Sequence, residues 1–237
     1  MNLWVVYPAL ALILGVLTSV YLFVAWFRHP PKRPPFLLYW SGALFLMYWF
    51  QVPVILTNLG SATTVTAFNF FFAITFPITF LALIFIYRGV LDALDIRISK
   101  TQRKIFFLWS LAAMAFFAYH FITRQGVINS YTLPLIGNIV FYFPLRSLTA
   151  LTLVWWVWRA KPKNLYGVLG VCFIIAESLL GIFRNFLIIK YVLLYPPQFW
   201  YVVLSGLKIF FILQTASIIL LVFGFFFLHR ACCGREN

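Results

Sequence analysis

Four ionisable side chains interrupt the long apolar runs of this chain: Arg146, Glu177, Arg184 and Lys208. A charge at the centre of a membrane helix costs about 2.5–3.5 kcal/mol on insertion scales, so such residues mark a functional site by default. Glu177 is the single acid inside an apolar segment; the other acids are Asp92, Asp95 and Glu236. At 1.5 Å per residue, Glu177 and Lys208 lie roughly 18 Å and 14 Å into their helices, both close to mid-membrane. Consecutive helices joined by a short loop are neighbours, so the sequence pairs Glu177 with Lys208. Arg146 and Arg184 then lack acidic partners, and uncompensated buried charge favours entry of an anion. The guanidinium fork suits carboxylate or phosphate. A purely structural alternative has Arg184 snorkelling to the outer surface and Arg146 resting on carbonyls freed by Pro53, Pro77 and Pro144.

Helical spacing gathers these charges into stripes. Gly170, Glu177, Gly181 and Arg184 share a face, with Ser178 and Asn185 beside them. Asn138, Tyr142, Arg146 and Thr149 share another, and Tyr201, Ser205, Lys208 and Thr215 a third. Polar stripes on apolar helices point into a bundle. The expected ligand-binding set is therefore Arg146, Arg184, Glu177, Lys208, Tyr142 and Asn185.

The elements that must position them are transmembrane helices. The 237 residues are 64% hydrophobic and 9% charged, against about 25% charged in soluble domains. Seven segments are long enough to cross ~30 Å of hydrocarbon: 4–27, 36–57, 66–87, 105–122, 133–158, 165–189 and 199–228. Residues 4–27 have no basic leader and form too long an apolar run for a cleaved signal peptide. The net charge of +14 lies between these segments, which makes it an orientation signal and argues against nucleic acid as a partner. Thirteen basic residues, among them Arg28, Arg97, Lys100, Arg159 and Arg230, fall in alternate loops, and only Arg124 and Lys190 lie in the opposite ones. The expectation is an all-α polytopic membrane protein, one seven-helix domain over 1–237, N-terminus outside and C-terminus cytoplasmic, in an inner or plasma membrane. Trp4, Trp26, Trp40, Trp155, Trp156, Trp158 and Trp200 fall near helix ends, as interfacial belts require. Cys172 reads as a packing residue. The link 88–104 reads as a solvated basic loop, with a short interfacial helix through Leu91, Leu94, Ile96 and Ile98 as the alternative.

No catalytic constellation is expected. His29, His120 and His229 have no acidic or cysteine companions at metal-ligand spacing. Histidines paired for haem, a nucleophile with its base, paired carboxylates and phosphate-binding glycine loops are all missing. The chain is not expected to be an enzyme or to carry a cofactor or metal. Lys208 invites comparison with opsins, but Leu204 stands where the microbial type has an acid.

The stretch from about 27 to 89, FRHPPKRPPFLLYWSGALFLMYWF…AITFPITFLALIFIYRG, resembles the seven-helix sensory regions of bacterial histidine kinases. The shared features are a basic link after the first helix, an aromatic second helix, and a proline-containing third helix ending at Tyr87-Arg88. The resemblance implies a membrane sensor. Only HRACCGREN follows the last helix, so signalling would pass to a separate partner protein. The small seven-helix sugar transporters share size and topology, but their parallel repeats have no counterpart here. The leading expectation is a receptor- or sensor-like bundle taking a small anionic or lipidic ligand in an outward-facing polar cavity. The alternatives are a secondary transporter for an organic anion, with Glu177 coupling protons, and a non-catalytic subunit of a larger membrane complex.

Overall fold

The computed structural model describes residues 3–28, 34–47, 65–123, 132–160, 164–194 and 208–233. Every regular element among them is helical. The helices are α1 (Leu3–Phe27), α2 (Pro35–Met47), α3 (Val65–Ala93), α4 (Lys100–Thr123), α5 (Thr132–Ala160), α6 (Leu165–Leu194) and α7 (Lys208–Cys233). Five carry stretches long and apolar enough to cross a membrane: Val6–Phe27, Ile74–Ala93, Thr132–Ala160, Leu165–Leu194 and Ile212–Cys232. The other two differ for local reasons. α2 is followed only to Met47, and the rest of the expected segment 36–57 lies outside the described residues. α4 opens with Lys100, Arg103 and Lys104 in its first turns. The expected start of the seventh segment, 199–207, also lies outside the described residues.

α6 and α7 form the most extensive helix pair, with α2 on α3, α1 on α2, α1 on α7 and α5 on α6 around it. Lipid supplies no hydrophobic drive between helices, so association depends on close backbone approach through small residues. Gly170 provides that approach. A Cβ placed there would lie 2.9 Å from the Leu228 backbone nitrogen and 3.0 Å from the Gly224 carbonyl oxygen. A second glycine, Gly89 on α3, leaves the slot that the Trp40 indole fills. Trp40 is fully buried and stacks on Phe225 of α7, with centroids 4.6 Å apart and ring planes 8° from parallel. It therefore belongs to the core and not to the interfacial belt expected of it. Trp155 and Trp158 stay exposed near the end of α5. Cys172 is exposed on α6 and does not pack inside.

α5 presents one face inward over an unusual length. Leu133, Gly137, Phe141, Leu145, Thr149 and Leu153 are buried, and so are their neighbours Pro134, Asn138, Tyr142, Arg146 and Ala150. A four-residue repeat drifts by ~40° per repeat around an ideal α-helix. A π-helical segment, Gly137–Tyr142, takes back part of that drift, and the Phe143 N–H bonds the Asn138 carbonyl across its wider turn. Pro144 explains its position: a proline ring clashes with the carbonyl four residues earlier, here Val140, and widening the turn relieves that clash.

The link between α3 and α4 is tightly capped. Asp95 adopts the left-handed conformation, with φ 48°. Ile96 N–H bonds the Leu91 carbonyl at 2.8 Å and Asp95 N–H bonds the Asp92 carbonyl at 3.3 Å, the pattern of a Schellman stop. Ser99 and Gln102 then form a reciprocal capping box that starts α4. Leu94, Ile96 and Ile98 pack against the core, so the stretch between the helices is neither an interfacial helix nor a fully solvated loop.

Replacing Gly170 with valine should push α6 and α7 apart, because the atoms it meets include rigid backbone. Overpacking of this kind costs about 1–3 kcal/mol, and thermal unfolding in detergent should show a lowered midpoint. An unchanged midpoint would show that the two helices do not meet there.

Candidate functional site

The polar centre of the bundle is built on α5, α6 and α7. Arg146 reaches from α5 to α6, and its Nη1 donates to Glu177 Oε1 at 2.6 Å. Both side chains are about 1% exposed, so this is a fully buried ion pair. Ser217 of α7 donates to the same oxygen at 2.6 Å. One carboxylate thus holds three helices. Gly181, one turn from Glu177, makes room for the pair: a Cβ there would overlap the Arg146 guanidinium.

Antiparallel register sets the rest of the layer. Gly170 meets Leu228, Ile174 meets Gly224 and Glu177 meets Ser217, which places Gln214 level with the turn from Gly181 to Arg184. Arg146 meets Glu177 and Phe143 meets Phe186, which places Tyr142 level with Arg184 and Asn138 about a turn further along. Arg184 lies within electrostatic reach of Arg146, Glu177 and Tyr142. The Tyr142 hydroxyl donates to the Phe76 carbonyl of α3 at 2.7 Å and has Thr79 within hydrogen-bonding reach. The Asn138 amide nitrogen donates to the Pro134 carbonyl at 2.6 Å.

Several buried polar atoms of this layer have no hydrogen-bond partner among the described residues. They include Arg146 Nε and Nη2, both ends of the Asn185 amide, Asn138 Oδ1 and Gln214 Oε1. A buried polar group left unsatisfied costs about 1–3 kcal/mol, more when charged. Among the described residues, Glu177 is the one acid in this layer, against Arg146 and Arg184. The layer therefore offers unused donors around an excess of positive charge, which suits a small molecule bearing an anionic group. Among the described residues, no group of three or more His, Cys, Asp or Glu comes together as a metal site would require.

Of the six expected site residues, Arg146, Glu177, Arg184, Tyr142 and Asn185 are all buried; Arg146, Glu177 and Tyr142 lie within electrostatic reach of Arg184, and Asn185 follows Arg184 on α6. The sixth, Lys208, begins α7, and its side chain lies outside the described residues. Glu177 takes Arg146 as a partner; the Glu177–Lys208 pair expected from the sequence falls on a side chain outside the described residues. The expected lack of an acidic partner for Arg146 is corrected accordingly, as is its resting on proline-freed carbonyls. Arg184 does not snorkel; it is 7% exposed. The sequence reading missed Ser217 and Gln214. Their three-residue spacing puts them on one face of α7, but a lone serine in an apolar helix commonly bonds its own backbone. Contact with Glu177 is what distinguishes Ser217.

Changing Glu177 to glutamine should destabilise the fold by about 3–5 kcal/mol, because it leaves the Arg146 charge buried and uncompensated. Changing Arg146 and Glu177 together to glutamine should recover most of that loss. Thermal unfolding of the two variants beside the parent checks the coupling, and equal losses in both would show that the pair is not energetically linked. No protein-family model, curated protein or solved structure matches the chain.

Proposed function

We propose that this chain is a receptor- or sensor-like seven-helix bundle of an inner or plasma membrane, N-terminus outside and C-terminus cytoplasmic, that binds a small anionic or lipidic ligand in its polar layer. The observation that carries this reading is Arg146: a fully buried guanidinium that uses one donor nitrogen on Glu177 and keeps Nε and Nη2 for another partner. Asn185 adds a buried amide with both ends unused, and Arg184 adds positive charge within electrostatic reach of Arg146. In the N-out orientation Arg184 and Asn185 lie on the outer side of Glu177, the side from which an external ligand arrives.

Ligand arrival would act on the helices that the Arg146–Glu177–Ser217 contacts join. A ligand that binds more tightly to one arrangement of α5, α6 and α7 shifts the population toward it. The resemblance of residues 27–89 to histidine-kinase sensor regions fits this role, with a separate partner protein receiving the signal. The Glu177 carboxylate is already engaged by a cation and a hydroxyl, which makes this reading stronger than a proton-coupled transporter.

Native mass spectrometry of the gently solubilised protein tests the proposal. The parent should retain a discrete small anionic adduct. The paired Arg146→Gln and Glu177→Gln variant, which keeps the buried charge balanced, should lose it, and so should Asn185→Ala. An adduct that survives both changes, or a parent that carries only other protein chains, would defeat the ligand site.

A further inference from the structure

Arg146 commits one nitrogen, Nη1, to Glu177. Its two nitrogens without a partner among the described residues are Nε and Nη2. These are neighbours on one edge of the planar guanidinium, opposite Nη1, and their N–H bonds run parallel. Two parallel donors on one edge take both oxygens of a planar carboxylate. The edge left over by the ion pair is therefore a complete fork, on a side chain that is 1% exposed.

Charge narrows the choice of anion. Among the described residues, the charged groups within reach of one another in this layer are Arg146, Arg184 and Glu177. Two cations and one anion leave a single net positive charge. A monoanion balances it. A phosphate group carries about −1.5 to −2 at neutral pH, and a dicarboxylate carries more than one charge as well, so either would leave negative charge buried and uncompensated.

The surroundings bear on the rest of the molecule. Gly181 lies against the Arg146 guanidinium. Asn185 is four residues further along α6, on the same face and about 6 Å up the helix. Both ends of its amide lack a partner among the described residues, as does Gln214 Oε1 of α7. An acyl chain laid against these groups would leave them unsatisfied, whereas a hydroxyl or amide answers them. We propose that the polar layer takes a small hydrophilic monocarboxylate, seated side-on with its two oxygens on Arg146 Nε and Nη2 and a hydroxyl or amide group toward Asn185. This assignment rests on the reading of the layer as a ligand site and names the chemistry of its occupant.

The test extracts the small-molecule adduct from the gently solubilised parent and determines its composition by accurate mass, fragmentation and carboxyl-specific esterification. One esterifiable carboxyl, no phosphorus and a hydroxyl or amide are expected. Arg146→Lys keeps a cation for Glu177 but presents no fork, so retention of the adduct should fall by about tenfold or more. Circular dichroism checks that this variant is folded, and the composition of the parent's adduct decides the assignment where it is not. Retention at the parent's level by folded Arg146→Lys overturns the side-on seating. A phosphorus-bearing, dicarboxylic or fatty-acid adduct overturns the proposal and leaves an anion site in the polar layer standing. The absence of any small anionic adduct defeats both.

Discussion

A carboxylate and a guanidinium meeting in a medium that cannot solvate either one is the constraint on which this bundle depends. Apart from each other, Arg146 and Glu177 would each face the cost of a buried unpaired ion. Together they remain buried only if α5 and α6 hold one register and one rotation. Ser217 extends that requirement to α7. Lipid offers no hydrophobic force to gather helices, so directional contacts of this kind, with small-residue approach, select one arrangement from many apolar ones. The Gly170–Gly224 contact performs the second task toward the other end of the same helix pair.

The surrounding fold reads as support for that layer. The π segment of α5 keeps Asn138, Tyr142 and Arg146 on an inward face that a plain α-helix would rotate away. Tyr142 ties this helix to α3 through the Phe76 carbonyl. On the far side, Trp40 locks α2, α3 and α7 together by filling the slot at Gly89 and stacking on Phe225. The aromatic surplus of the chain is spent largely on such ring-to-ring contacts. Phe80, Phe117, Phe141 and Trp109 form one continuous group between α3, α4 and α5.

Much of the site was legible because helices are periodic. The spacing of Asn138, Tyr142, Arg146 and Thr149, and of Gly170, Glu177, Gly181 and Arg184, identified two inward stripes, and every one of those side chains or glycines that has a burial value is buried. The contact between Arg146 and Glu177 was not legible. Sequence adjacency favoured Lys208 for Glu177, whereas contact with Arg146 depends on the depth at which α5 crosses α6 and on the gap left by Gly181. Trp40 misled for a related reason: its position near a helix end resembles an interfacial anchor until Gly89 is seen opposite. The capping of the α3–α4 link was written locally, in Ser99 and Gln102, and needed no tertiary information.

Gly181 carries the last consequence. The Arg146 guanidinium occupies the space that any side chain at this position would claim. The two residues therefore form a single steric unit, although one is charged and the other has no side chain. A methyl group added at position 181 would force the guanidinium to shift against its carboxylate without altering a single charge. In a saturation-mutagenesis map, substitutions at this neutral glycine would register as disturbances of the ion pair beside it.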